Sequence, residues 1–381
     1  MPRLALDFLI VSVLLLGGIF MVVSKDTIII SNTFIVATTT PTLSQASDFP
    51  TFSPIVFPEV IPEVQEKAEV KKERPPVVVT PATVVAPITK ALTAPPVATT
   101  TEPAPSIDEA TLPLRNALVN IVCYTPFGSR VNSISGSGVF IDPKGIILTN
   151  AHIAQYLLLH QQGVTCTVRT GAPAIDSYKA SLVFISSAWI QENAKLLVTA
   201  MPVGTGENDF ALLAVTKSAS TVGKPLPDTF PFIPLSDSVV TAGTPVVIGG
   251  YGAQFLGGEQ IQFFLNPTLV FGLVKDVFTF KTNTVDVMSL GGSAAAQQGS
   301  SGGGVADANG KLIGTIVTST QEKTTAERTL DAITATYMRG AYANETSEAF
   351  ELLLARPLVE SVMKFESKKK ELEAVLMAHL L

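Results

Sequence analysis

The stretch GSGVFIDPKGIILTNAHI, residues 136–153, has the pattern of two short strands joined by a turn. Polar and turn-forming residues at 142–145 separate its two apolar runs, and the second run ends close to His152. Similar runs of Val, Ile, Phe, Leu and Thr recur from about Leu112 to Met338, separated by Gly, Pro, Asn and Asp. The pattern predicts an antiparallel all-β domain with enough strands for two small barrels.

Three polar residues lie at the edges of predicted strands in this region. His152 follows the hairpin, Asp209 precedes the apolar run FALLAV, and Ser301 lies in the glycine-rich stretch AAAQQGSSGGGVADANG, residues 294–310. Each has an ordinary interpretation when taken alone: a loop histidine, a turn aspartate and a flexible Gly/Ser linker. Together they follow the chain order His, Asp, Ser of the chymotrypsin-type triad, which subtilisin and the α/β-hydrolases do not share.

The local sequences around these residues resemble the motifs of trypsin-like serine proteases. TNAH (149–152) is similar to the family's T(A/N)(A/N)H, DFALL (209–213) to D(I/L)ALL, and GSSGG (299–303) to G(D/N)SGG. SDSVVTAGTPVVIGGYG, residues 236–252, resembles a strand and turn of the bacterial Deg (high-temperature-requirement) branch. The resemblance covers about residues 112–338 and implies an all-β, chymotrypsin-like fold, a double six-stranded antiparallel β-barrel.

The resemblance also implies the chemistry of a serine endopeptidase. Ser301 is expected to attack the peptide carbonyl and form an acyl-enzyme, with His152 as general base and Asp209 orienting the imidazole. The backbone amides of Gly299 and Ser301 are expected to form the oxyanion hole, in a conformation that glycine permits. This chemistry needs no cofactor, and the sequence shows neither a metal-ligand spacing nor a phosphate-binding loop.

The family places its primary specificity pocket just upstream of the nucleophile and on a later strand. The corresponding residues here are Ala294, Ala295, Ala296, Val317, Thr318 and Ser319. None of them is acidic, so a preference for Lys or Arg is not expected and small to medium apolar residues are.

Two departures from the family pattern bear on regulation and substrate contact. Ser300 stands where secreted zymogens carry the Asp that pairs with a newly cut N-terminus, which excludes activation by that route. The segment SSAWIQENAKLLVTAMPVGTG, residues 186–206, lengthens the connection between His152 and Asp209. It is either a substrate-contacting loop or a plain surface insertion.

The N-terminal third has a different composition. Leu4–Ser24, within residues 1–25, is nearly continuous apolar sequence of the length that a membrane span requires, and we expect a transmembrane anchor, with a cleaved signal peptide as the alternative. Half of the 26 prolines lie between Pro41 and Pro105, so residues 38–108 are expected to form a stiff, disordered spacer. The protease domain, residues 109–340, is then expected outside the membrane, periplasmic or at the cell surface, or secreted if the segment is cleaved.

The sequence that follows the predicted barrels has a helical pattern. Residues 345–381 carry apolar residues at helical spacing after Pro357, expected either to pack on a barrel or to mediate self-association. Too few residues follow Met338 for the peptide-binding PDZ module of many Deg proteases. The net charge of −6 argues against a nucleic-acid partner and leaves polypeptide substrates and the membrane as the expected partners.

The resemblance further implies a pairing for the two cysteines, Cys123 and Cys166. In the family's first barrel the first strand closes the sheet against the fourth, where these residues fall, so a disulfide is expected there. The alternative is two buried thiols.

Two functions of other classes stay open from the sequence. One is a catalytically silent relative that binds peptides as a membrane-tethered scaffold. The other is a surface-display protein that acts mainly through the spacer and the C-terminal helix, with proteolysis secondary.

Overall fold

A computed structural model describes residues 106–199, 205–220, 223–281, 284–319 and 328–380. The predicted anchor, residues 1–25, lies outside these ranges, as does the predicted spacer up to residue 105. Among the described residues, no helix combines the length and apolar character needed to cross a bilayer.

The described chain contains thirteen strands, β1 to β13, with helices at the N-terminal edge, in the connections and at the C-terminal end. The α-helices are α1 (Thr111–Ala117), α2 (Ala151–Ala154), α3 (Ser187–Asn193), α4 (Gly258–Phe263), α5 (Ala335–Thr346), α6 (Phe350–Ala355) and α7 (Leu358–Leu380). Short 3-10 helices cover Ile107–Ala110, Gln155–Gln162 and Ala194–Val198.

The folded domain begins slightly before the predicted boundary at residue 109. The Ser106 side chain caps the first 3-10 helix by accepting a hydrogen bond from the Asp108 N–H. This helix and α1 bury Ala110 and Leu114 completely. The last residues assigned to the spacer from sequence, 106–108, are therefore part of the folded domain.

Six strands close into the first barrel, as the sequence predicts. The strands are β1 (Leu118–Tyr124), β2 (Ile134–Asp142), β3 (Ile146–Thr149), β4 (Thr165–Thr170), β5 (Ile175–Ile185) and β6 (Ala211–Ser218). Their spatial order is β1-β2-β3-β6-β5-β4, with β1 pairing antiparallel to β4 to close the barrel. The hairpin β2–β3 contains most of the stretch 136–153, and all four residues of β3 are buried.

The second sheet has seven strands and curls without closing by hydrogen bonds. The strands are β7 (Pro245–Gly250), β8 (Thr268–Leu273), β9 (Asp276–Phe278), β10 (Val287–Ser289), β11 (Gly304–Asp307), β12 (Leu312–Ser319) and β13 (Leu330–Thr334). Their order is β8-β7-β11-β12-β13-β10-β9, which differs from the predicted closed barrel of six strands.

The difference arises from one bend in the chain. The edge strands β8 and β9 are consecutive in sequence, separated only by Val274 and Lys275. Val274 still bonds toward the β7 side, donating to Thr244 O (2.9 Å), whereas the Lys275 N–H donates to Ser289 O (2.7 Å) on β10. The chain changes partners between these two residues, so one bent segment is divided into two strands and joins both edges of the sheet.

The last helix, α7, packs on the first barrel. On α7, Phe365, Leu372 and Leu376 are buried, and the helix contacts β5, α3 and two of the 3-10 helices. Its apolar stripe is therefore covered within the same chain, which supports the packing alternative rather than self-association through this face. The insertion between His152 and Asp209 forms α3 and the 3-10 helix after it, and both contact α7.

Cys123 and Cys166 form a disulfide across the closing pair of the first barrel. They lie directly opposite each other in the β1–β4 register, with their Cα atoms 4.1 Å apart. The bridge joins residues 43 positions apart and encloses His152 in its loop. Closing a loop of this length stabilises a fold by about 4 kcal/mol in the chain-entropy description.

Candidate active site

His152 is presented by the junction between β3 and α2. Its ring Nδ1 lies 2.7 Å from Asp209 Oδ2, and its backbone N–H donates to Asp209 Oδ1 at 2.9 Å. Both carboxylate oxygens of Asp209 therefore accept a hydrogen bond from His152. The Asp209 side chain is 8% exposed and that of His152 is 25% exposed, so the imidazole is the part of the pair that solvent and substrate reach.

Asp209 is itself held from two sides. Asn150, two residues before His152, donates its side-chain amide to Asp209 O at 2.8 Å. On the other side, Asn208 adopts a left-handed conformation with φ of 58°. The Tyr337 hydroxyl on α5 accepts the Asn208 N–H (3.0 Å) and donates to Asn208 Oδ1 (2.9 Å).

Tyr337 stays a donor under ordinary conditions. Burial raises the pKa of Tyr337 to about 12, so its hydroxyl is protonated at neutral pH. A neutral phenol can satisfy Asn208 as donor and acceptor at once. The C-terminal helix α5 therefore fixes the turn that carries Asp209.

Of the two adjacent serines, only Ser301 presents an accessible side chain. Ser300 is 1% exposed, and its N–H donates to Gln297 O at 3.1 Å inside the turn. Ser301 is partly exposed and lies three residues before β11. This difference in burial agrees with the sequence assignment of Ser301 as nucleophile.

The glycines around Ser301 are required by the path of the backbone. Gly299 and Gly302 have φ of +94° and +84°, in the region that favours glycine. A Cβ atom on Gly299 would lie 2.6 Å from Tyr251 O, and one on Gly302 would overlap Ser137 O. Among the described residues, the N–H groups of Gly299 and Ser301 donate to no acceptor. They are the two amides that the sequence assigns to the oxyanion hole.

Ser137 on β2 joins the serine loop to the histidine strand. Its N–H donates to Ser301 O at 2.7 Å, and its carbonyl accepts from Thr149 Oγ1 at 2.7 Å, three residues before His152. The contacts of the described residues include no hydrogen bond between the Ser301 hydroxyl and His152. In enzymes without substrate this bond often tightens only in the complex.

The predicted specificity pocket consists of small apolar residues upstream of Ser301 and the end of β12. Ala295 and Ala296 are each 1% exposed, and Val317 is 5% exposed. Thr318 and Ser319 continue β12, paired with Asp331 and Leu330 of β13. Ala294 is exposed.

A cation that the sequence analysis did not identify lies beside this pocket. Arg328 is 8% exposed, and its Nη1 donates to Ala296 O and to Gln254 Oε1, each at 2.9 Å. Its guanidinium also lies over the Phe255 ring, 5.6 Å from the centroid. No local motif signals this role, because Arg328 contacts the pocket only through the folding of the second sheet.

The fold and the site define a class of protein. A closed six-stranded barrel carries a carboxylate-bound histidine, and a second curled sheet carries a serine in a glycine-rich loop whose two assigned amides donate to no acceptor among the described residues. Ser137 links the two parts by hydrogen bonds to Ser301 O and from the Thr149 hydroxyl. These are the parts of a serine hydrolase with the chymotrypsin-like architecture.

Comparison with known proteins agrees with this class. Residues 136–314 match the model of the trypsin-like peptidase domain, a range that contains His152, Asp209 and Ser301. The chain is a serine endopeptidase, and its residues 136–314 are similar to trypsin-like peptidase domains. No curated protein matches the chain.

Solved structures from Mycobacterium tuberculosis are similar at low identity. The active form of the Rv3671c protease is 20% identical, with 67% of this chain and 95% of that chain covered and a TM-score of 0.41. An inactive form of the same protease is 17% identical, with 64% and 98% covered and a TM-score of 0.39.

Proposed function

We propose that the protein cleaves polypeptides after small or medium apolar residues, through a His152–Asp209–Ser301 triad, while its N-terminal segment holds it on the outer side of a membrane. The observation that carries the proposal is the pair of hydrogen bonds that His152 donates to the Asp209 carboxylate, one from its backbone N–H and one from ring Nδ1. It leaves His152 Nε2 as the only ring nitrogen free to serve a nucleophile.

The reaction follows from this arrangement. His152 Nε2 takes the Ser301 hydroxyl proton as the oxygen attacks the peptide carbonyl, and the imidazolium then returns it to the leaving amine. Asp209 stabilises the imidazolium and keeps the neutral ring in the tautomer with a proton on Nδ1. The Gly299 and Ser301 amides donate to the oxyanion of each tetrahedral intermediate. Water then hydrolyses the acyl-enzyme by the same steps in reverse order.

The proposed pocket preference rests on size and charge. The residues assigned to the pocket from sequence, Ala295, Ala296 and Val317, are buried and apolar, and none of them carries a carboxylate. Arg328 donates to the Ala296 carbonyl, which places a cation beside the same residues. A basic substrate side chain entering here would lose its hydration without gaining an opposite charge. The resemblance of residues 236–252 to the Deg branch points to the same apolar preference.

A peptide library tests both the activity and the preference. We expect cleavage after Val, Ala or Leu, with Lys and Arg disfavoured by at least about tenfold, because an unpaired cation is desolvated in the pocket. The Ser301→Ala variant is the control, and it should leave the library intact. Cleavage mainly after Arg would contradict the pocket assignment. A library left uncut by wild-type protein would instead favour the silent, peptide-binding alternative.

The proposed tether is supported by the apolar segment at residues 4–24 and by the disulfide. A Cys123–Cys166 bridge persists in an oxidising compartment, which is the outer side of a bacterial membrane. The length of the apolar segment matches one bilayer span.

Fractionation of cells that express the full chain tests the tether. We expect the chain to stay with membranes after alkaline carbonate treatment and to be released by detergent, since a span buries its apolar side chains in lipid. A variant without residues 1–25 is the matched control and should be soluble. A soluble full-length product whose N-terminus has been cut near residue 24 would show a signal peptide instead of an anchor.

A further inference from the structure

The loop that carries Ser301 has five consecutive carbonyl groups, and every one accepts a hydrogen bond. The five bonds are Ser300 N–H to Gln297 O (3.1 Å), Ala253 N–H to Gln298 O (2.7 Å), Ser137 Oγ to Gly299 O (2.7 Å), Gly303 N–H to Ser300 O (2.8 Å) and Ser137 N–H to Ser301 O (2.7 Å). With the carbonyls held in this way, the amides of Gly299 and Ser301 stay free of acceptors among the described residues.

One of these five bonds differs from the others. Four have backbone amides as donors, which no substitution except proline removes. The fifth donor is the side-chain hydroxyl of Ser137, which holds the carbonyl of Gly299. Gly299 lies between the peptide unit that carries its own N–H and the one that carries the Ser301 N–H, the two proposed oxyanion donors. Glycine resists rotation of the backbone least of all residues, so this position depends on the bond to its carbonyl.

The Ser137 hydroxyl is itself fixed in place. Ser137 is fully buried, and its Oγ accepts the Tyr251 N–H at 2.7 Å while it donates to Gly299 O. A Cβ atom on Gly250 would lie 3.3 Å from this Oγ, so the end of β7 passes close beside the hydroxyl. The position therefore needs a short side chain that donates and accepts at the same time, which serine provides and alanine does not.

Ser137 also connects this loop to the rest of the site. Its backbone carbonyl accepts the Thr149 hydroxyl at the end of β3, just before the His152 helix. The same residue thus contacts the carbonyls on both sides of Ser300, the end of β7 through Tyr251, and the histidine-bearing strand. Loss of the Ser137 hydroxyl therefore acts on the loop through Gly299. The hydrogen bonds of the Ser137 backbone, to Ser301 O and from the Thr149 hydroxyl, are kept.

We propose that Ser137 is a positioning residue for the oxyanion hole, and that its hydroxyl bond to Gly299 O keeps the Gly299 and Ser301 amides directed toward the substrate carbonyl. The inference rests on the proposed function, because it assigns a role in stabilising the tetrahedral intermediate. Ser137 does not touch the substrate in this role and acts through Gly299.

Kinetics of Ser137→Ala test the inference, with Thr315→Val as the matched control. Thr315 is also fully buried, and its hydroxyl donates to Gly303 O (2.9 Å), downstream of Ser301 in the same loop. We expect Ser137→Ala to lower kcat by about 10- to 100-fold with KM changed less than about twofold, since misplaced oxyanion donors weaken binding of the transition state only. Both variants should unfold at lower temperature, but Thr315→Val should retain kcat.

Two further measurements separate positioning from a general loss of structure. A peptide boronate, which forms a tetrahedral adduct on the serine, should bind Ser137→Ala more weakly by the same factor as the loss in kcat/KM. Ser137→Cys keeps a short side chain with a much weaker donor, so its kcat should lie between those of Ser137→Ala and wild type. It carries the same test if the alanine variant does not fold.

The outcomes distinguish this inference from the proposed function. Wild-type kcat and boronate affinity in folded Ser137→Ala would overturn the positioning role and leave the protease assignment standing. Equal losses of kcat in Ser137→Ala and Thr315→Val would also overturn it, since the effect would then be structural. A wild-type protein without Ser301-dependent cleavage would overturn the proposed function and this inference with it.

Discussion

Replacing Ser301 with alanine is expected to lower kcat by about 10⁶, and replacing His152 with alanine is expected to cost about as much. The reason is that the two residues act as one unit: without the hydroxyl no acyl-enzyme forms, and without the imidazole the hydroxyl keeps its proton. The residual rate comes from substrate binding and the oxyanion amides. Steady-state kinetics on a peptide cut by the wild-type enzyme, with folding checked by thermal unfolding, gives both values.

Ser300→Ala is the matched control for this prediction. Ser300 is 1% exposed and contributes its backbone to the turn, so its hydroxyl is not expected to react. We expect this variant to form the acyl-enzyme at a rate within a few-fold of wild type. Acylation that is lost in Ser300→Ala and retained in Ser301→Ala would show that the nucleophile has been assigned to the wrong serine.

The candidate triad can be proposed from the sequence because its residues lie in short local motifs. His152, Asp209 and Ser301 each occur within a few residues of the strand edge that presents them, and the glycines mark positions of positive φ. The first barrel could also be predicted from the sequence, because its short apolar strands are separated by clear turns. The pairing of β1 with β4, implied by the family resemblance, brings Cys123 and Cys166 opposite each other.

The second sheet shows where strand patterns stop being informative. No glycine or proline occupies Val274 or Lys275, and the nearest glycine, Gly272, lies inside β8, so the sequence does not locate the point at which the strand divides. What changes there is the hydrogen-bond partner, from the β7 side to β10. Partner exchange depends on strands that are distant in sequence, and apolar periodicity records only which residues are buried.

The supporting residues of the site were missed for the same reason. Ser137 lies in the sequence GSG at 136–138, but nothing local indicates that its hydroxyl reaches Gly299, 162 residues later. Tyr337 contacts Asn208 across 129 residues of sequence, and Arg328 contacts Ala296 across 32. A residue that performs chemistry has a recognisable neighbourhood in sequence, whereas a residue that orients it needs only the right place in the folded chain.

Replacing Asp209 with asparagine is expected to lower kcat by about 10⁴, equivalent to about 5.5 kcal/mol of transition-state stabilisation. The asparagine keeps the shape of the side chain and can still accept the His152 backbone N–H. Facing Nδ1, however, its amide donates where the carboxylate accepted. The imidazole then carries its proton on Nε2 and cannot take one from Ser301. KM should change little, because the substrate pocket is untouched.

Asp286→Asn separates this effect from the loss of any buried carboxylate. Asp286 is 2% exposed, and it accepts hydrogen bonds from the Phe280 N–H (2.7 Å) and the Thr279 hydroxyl (3.0 Å) rather than from a histidine. We expect this variant to lose stability and to keep kcat within a few-fold of wild type. NMR of the His152 ring nitrogens should show the proton on Nδ1 in wild type and on Nε2 in Asp209→Asn. An Asp209→Asn enzyme with wild-type kcat would mean that the carboxylate neither selects the tautomer nor stabilises the imidazolium. The two hydrogen bonds that His152 donates to Asp209 would then have only a structural role.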